Sequence, residues 1–95
     1  MLELAIGIIL GCCALGAGIC MGIGAIGPGV GEGHAVANAC EAIGRQPESK
    51  GQVTTTMLMG CAIAETTGLY ALVIAILLIF VAPGRLVNIL VNTIR

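Results

Sequence analysis

The stretch Ala62-Ile63-Ala64-Glu65-Thr66-Thr67-Gly68-Leu69-Tyr70 sets the architecture of the chain. It lies inside a long apolar run from about Val53 to Ala82, in which Glu65 is the only charged residue. About 20 apolar residues suffice for a helix to cross a bilayer, so the run reads as a membrane helix with one carboxyl near its middle. A charge at that depth costs at least ~2.5–3.5 kcal/mol on insertion scales, and a residue kept there at such cost points to proton or cation binding. The neighbours fit a small cation. Thr66 and Thr67 bring hydroxyl oxygens and Tyr70 a phenol. Helical side chains lean toward the N-terminus, so Tyr70 reaches back about one turn toward Glu65 and Thr66. The alternative for the threonines is local: each hydroxyl bonds to a carbonyl of its own helix.

Composition agrees with a membrane protein. Hydrophobic residues make up 58% of the 95 residues, charged residues only 9%, and the mean hydropathy is +1.09. A soluble domain carries roughly 25% charged residues. The net charge of −1 and the lack of a basic patch exclude nucleic acid as a partner. The five cysteines, at positions 12, 13, 20, 40 and 61, lie in or beside apolar segments with no CxxC spacing. They read as small packing residues rather than as a disulfide framework or a metal site. The acidic start Met-Leu-Glu-Leu does not fit a secretory signal.

Toward the N-terminus, Leu2 to about Ile43 reads as a first long helix rich in glycine. Gly7/Gly11, Gly18/Gly22, Gly27/Gly31 and Gly29/Gly33 have GxxxG spacing. In a membrane such rows let backbones approach closely. Because the pairs overlap around the helix, they predict packing on several sides, as in a closed ring. Gly22-Ile-Gly24-Ala-Ile-Gly27 matches GxGxxG but follows no strand, so it carries no nucleotide reading. Pro28 predicts either a bend absorbed by Gly27 and Gly29 or a continuous helix with one bond lost.

The polar break runs from Gly44 to Gly51, with Pro47 in its centre. The second helix is expected over about 52–82, with Gly60, Ala64 and Gly68 as a small-residue row, and Pro83-Gly84 ends it. Residues 83–95 form a short tail. The fold is therefore an all-α membrane protein: one two-helix transmembrane hairpin that assembles into an oligomeric ring. Arg45 and Lys50 at the loop are balanced by Arg85 and Arg95 at the other end, so loop charge does not orient the hairpin.

A second deep carboxyl belongs to Glu32. It lies 14 residues before Gln46, and Glu65 lies 15 residues after Lys50. At the helical rise these are about 21 and 22 Å from the loop. The two acids therefore sit at one level and can share an ion, within one copy of the chain or between neighbouring copies. Two ionised carboxylates with one Na⁺ leave a net −1 in a low dielectric, which is costly. One carboxyl must then stay protonated, and Glu32 is the better holder because Glu65 has the hydroxyl neighbours. His34 lies about 200° around the helix from Glu32 and is outside the site. Glu41, Glu48, Arg45 and Lys50 are boundary charges or contacts for a soluble partner.

Together, Gly27-Pro28-Gly29-Val30-Gly31-Glu32-Gly33, Arg45-Gln46-Pro47 and Ala64-Glu65-Thr66-Thr67-Gly68-Leu69-Tyr70 resemble the c subunit of F-type ATP synthases, the rotor-ring proteolipid, over about residues 5–82. The resemblance implies a ring of identical hairpins in a prokaryotic plasma membrane, packed through Gly22, Gly27, Gly29, Gly31 and Gly33 and in contact with lipid. The ring turns against subunit a. The loop faces the cytoplasm, where Arg45, Gln46 and Pro47 grip the central stalk subunits gamma and epsilon. The chain itself catalyses nothing. The sodium-binding branch of the family is the nearer likeness. There Na⁺ is held by the acid matching Glu65, the position matching Glu32, the hydroxyl at Thr66 and the backbone carbonyl at Ile63. Thr67 holds a water and Tyr70 bonds the acid. Thr66 departs from the common Ser of that branch but keeps the hydroxyl, and the C-terminus is longer than usual. H⁺ as the coupling ion is the alternative, as is a structural or pore-forming hairpin with no ion cycle.

Overall fold

The computed structural model describes residues 1–95. Helix α1 spans Leu2–Gly24 and α2 spans Ile26–Arg45, joined through Ala25 without a break in direction. Ala25 stays helical at φ −81° and ψ −15°. Pro28 has no amide hydrogen to offer the carbonyl four residues earlier, at Gly24. The ladder resumes at once, with the Gly29 amide donating to Ala25 O at 3.0 Å. The helix thus runs on through its proline, interrupted only by the turn at Ala25.

The loop is shorter than the composition suggests. The first helix continues to Arg45, one 3₁₀ turn occupies Pro47–Ser49, and α3 starts at Lys50 and runs to Ile76. Gln46 alone is non-helical, at φ −136° and ψ 84°, as a residue before proline prefers. Ser49 closes the turn, its hydroxyl donating to Gln46 O at 2.7 Å. Glycines 44 and 51 stay helical because no reversal falls on them.

The larger departure is at the far end. Pro83-Gly84 does not end the second helix. A π-helical turn over Leu77–Val81 leads into α4, Ala82–Ile94. In that turn the Ala82 amide donates to Leu77 O, five residues back. Pro83 then falls in the first turn of α4, where a missing amide hydrogen costs little. The two arms, 44 and 48 residues long, make a rod of 71 × 16 × 11 Å. A hydrocarbon core is about 30 Å thick, so both ends project beyond it.

Only 7 of 95 residues are buried, and every one is small: Cys13, Ala17, Pro28, Ala39, Gly68, Ala71 and Ala75. The seam between the arms is therefore a close approach of backbones. It is tightest where a Cβ placed on Gly24 would lie 2.6 Å from that of Ala71. Beside it the Cys20 thiol donates to Ala71 O at 3.4 Å. The expected row Gly60, Ala64, Gly68 contributes only its last member to this buried seam; within the hairpin Gly60 has open space around its Cα. Gly22, Gly27, Gly29, Gly31 and Gly33 likewise touch nothing within the hairpin. Large apolar side chains such as Leu15, Ile23, Leu69 and Phe80 point outward along the rod.

Candidate ion-binding site

Glu32 on α2 and Glu65 on α3 come together. Their carboxyls are neighbours across the seam. Helix counting explains this, because both lie about four turns from the same tight turn. Glu32 is half-buried and Glu65 exposed. Pro28, one turn before Glu32, packs toward Gly68, three residues after Glu65. A Cβ on Gly68 would lie 3.6 Å both from Glu65 Oε1 and from Pro28 Cγ. The missing side chain at position 68 thus leaves room for the carboxyl and the proline ring together.

On the loop side of this pair a groove of about 200 Å³ is lined by Gly31, Glu32, Ala35, Gly60, Cys61 and Ala64. Two glycines and two alanines keep its walls low, and Glu32 is its one ionisable oxygen donor. No three His, Cys, Asp or Glu side chains cluster anywhere in the chain. A cation held here would therefore complete its shell with hydroxyl and backbone oxygens, the ligand set of a hard ion.

Within one chain the remaining candidates are divided. The Thr66 hydroxyl donates to Ala62 O at 3.5 Å and the Thr67 hydroxyl to Ala64 O at 3.1 Å, so both face their own backbone. At 100° per residue, Ile63, Thr67 and Tyr70 share one face of α3, roughly opposite Glu65, with Thr66 between. Ile63 is 73% exposed and Tyr70 65% exposed. The Tyr70–Glu65 bond does not form inside the hairpin. His34 is exposed and apart from the pair. At the loop, Arg45 pairs with Glu41 one turn back, and Gln46 and Pro47 are exposed.

Sequence reasoning missed three positions: Gly24 and Ala71, which meet in the seam beyond the pair, and Cys61, which lines the groove. The signal for the first two was available, since a small residue at each point of a membrane seam marks close approach. Cys61 had one as well, four residues before Glu65 and so one turn away on its face.

The family model for the ATP synthase C subunit matches residues 15–78, two thirds of the chain and all of the site. An ATP synthase c subunit of Petrotoga mobilis is 61% identical over 69 residues, covering 73% of this chain and 72% of the relative. One from Thermotoga petrophila is 56% identical over 79 residues, covering 83% and 93%. One from Alkaliphilus oremlandii is 53% identical over 76 residues, covering 80% and 85%. The chain belongs to the ATP synthase c-subunit family. As a member it is a non-catalytic membrane component of the F-type enzyme and forms part of its rotor ring. Membership of that family sets aside the purely structural or pore-forming hairpin. Residues 79–95, which include all of α4, lie outside the region that the family model matches.

Proposed function

We propose that this rotor protein carries Na⁺ on Glu65, with Glu32 as a protonated second ligand. The observation that carries the reading is the pairing of the two carboxyls at one depth, at the same level of α3 as Thr66 and Thr67. The outward face formed by Ile63, Thr67 and Tyr70 supports a site completed between copies. The Ile63 carbonyl, the Thr66 hydroxyl and the Tyr70 phenol of one hairpin meet the Glu32–Glu65 pair of the next, and Thr67 holds a water there. Gly22, Gly27, Gly29, Gly31 and Gly33, open in the single hairpin, are then the surface on which copies close into the ring. The loop Arg45-Gln46-Pro47 faces the cytoplasm of a prokaryotic cell and contacts subunits gamma and epsilon. Subunit a exchanges the ion as the ring turns, coupling ion flow to ATP synthesis or hydrolysis.

Carbodiimide labelling of purified rings tests the ion. The reagent attacks a protonated carboxyl, so Na⁺ on Glu65 displaces the proton and protects the group. Labelling of Glu65 is expected to fall as Na⁺ rises at fixed pH. Labelling that ignores Na⁺ at tens of millimolar, on the order of saturation for a weak site, would replace Na⁺ with H⁺. One observation favours that second reading. The Thr66 and Thr67 hydroxyls already have backbone partners in the single chain, and a proton needs neither of them.

A further inference from the structure

The far end of the second helix carries an open groove that no other part of the chain fills. It measures about 440 Å³ and is lined by Leu77, Val81, Ala82, Arg85, Leu86 and Ile89. Residues 77, 81, 85 and 89 follow one another at i+4 along a single ridge, with 82 and 86 beside it. The π turn over Leu77–Val81 forms its inner end. Such a turn widens the helix and displaces the side chains on either side of it. Five of the six lining residues are apolar, and Leu77, Val81, Leu86 and Ile89 are all exposed.

Arg85 is the exception, and its position along the chain gives it meaning. It is the first charged residue after Glu65, so it marks where the helix leaves the apolar layer opposite the loop. Its guanidinium has no acidic partner, because the one ion pair of the chain is Arg45–Glu41. No Asp or Glu occurs between Thr66 and Arg95, and Glu3 is the only acid at this end of the hairpin. Asn88, Asn92 and Arg95 continue the polar stripe that starts at Arg85, at spacings of three and four. A second copy in register would set this stripe against its own like and leave Arg85 without an anion. A phospholipid supplies both missing parts: an acyl chain for the apolar floor and a phosphate for the arginine. Guanidinium matches phosphate oxygens in bidentate geometry.

We propose that this groove seats one acyl chain of an anionic phospholipid in the leaflet opposite the loop, with Arg85 holding the phosphate. All of its lining residues except Leu77 lie beyond the region matched by the family model, and the site is independent of which ion the ring carries.

Purified rings reconstituted in mixed bilayers test it, with spin-labelled phosphatidylglycerol and phosphatidylcholine reporting the lipid held at the protein surface. Wild-type rings are expected to prefer phosphatidylglycerol. Arg85→Gln should lower that preference about fivefold, the value of one cationic side chain at an anionic surface. Arg85→Lys should retain more of it than Arg85→Gln. Ala82→Phe, which fills the groove and leaves every charge in place, should also reduce it. Arg85 is exposed and Ala82 partly exposed, and ring size on gel filtration reports whether assembly is intact. An unchanged preference in Arg85→Gln would overturn the proposal, whether the loop-side cations carry the preference or a neighbouring copy covers the groove. Loss in Arg85→Gln with full retention in Ala82→Phe would overturn the acyl-chain seat.

Discussion

Residue by residue, ion binding turns on what each oxygen does. In the proposed site Glu65 supplies the charge, and Gln at that position supplies the same shape without it. Glu65→Gln is therefore expected to abolish ion transport while the hairpin still inserts and the ring still forms. Coupled transport at the wild-type rate would remove Glu65 from the mechanism. Thr66 is a different case. Its bond to Ala62 O is 3.5 Å long, at the limit of a hydrogen bond. Such a hydroxyl is easily redirected to a cation between copies. Thr66→Val deletes the hydroxyl at nearly constant shape and should weaken Na⁺ binding by about 10- to 100-fold, the loss of one charge-assisted contact of ~1.5–3 kcal/mol. Na⁺ titration of carbodiimide labelling reads this directly, and an unchanged half-saturation point would leave the threonine with its local bond alone.

Among the helices, the glycines fall into two sets. Gly24 belongs to the seam of the hairpin, where even one added carbon lies 2.6 Å from the Ala71 Cβ. Gly24→Ala is expected to push α1 from α3 and lower the thermal stability of purified rings, and adding Ala71→Gly should recover part of the loss because the two changes share one contact. Gly29 meets nothing inside the hairpin. Gly29→Leu should leave the hairpin folded and block ring closure, which chemical cross-linking of detergent-solubilised protein would show as missing oligomers. Normal rings from Gly29→Leu would count against this packing. These differences also mark what was legible in the sequence. The two spans, the turn at Pro47 and the common depth of Glu32 and Glu65 follow from hydropathy and a fixed rise per residue. Whether Gly24 or Gly29 faces the partner helix depends on the rotation of one helix about its axis, and overlapping GxxxG rows do not fix a rotation. The run through Pro83 was hidden for another reason. Proline forbids its own amide bond, but a π turn just before it places that gap in the first turn of the next segment. Nothing in local composition announces such a turn.

For the hairpin in its bilayer, the controlling quantity is the net charge that a buried site can hold. Glu32 and Glu65 are neighbours, and no basic residue other than His34 lies between Met1 and Ile43 or between Gly51 and Gly84. His34 is apart from the pair, so no cationic side chain of the membrane arms can offset a second carboxylate. Neutrality then requires one carboxyl protonated and the other paired with the ion, or both protonated when no ion is bound. If Glu32 is the group that keeps its proton, Glu32→Gln preserves both the neutral state and an oxygen ligand, and rotor function should survive it. Glu32→Ala removes the ligand and should weaken Na⁺ binding by the same 10- to 100-fold as loss of one ligand elsewhere. The pH dependence supplies the sign. At the proposed site Na⁺ and H⁺ compete for Glu65, so a fall in pH is expected to raise the Na⁺ needed for protection. In the competitive range each tenfold rise in H⁺ should raise it about tenfold, because one proton leaves for each ion bound. In Glu32→Gln rings that one-proton slope should persist, since the remaining proton exchange belongs to Glu65 alone. A slope reduced to zero in Glu32→Gln rings would show that Glu32, not Glu65, releases the proton, and would exchange the roles of the two carboxyls.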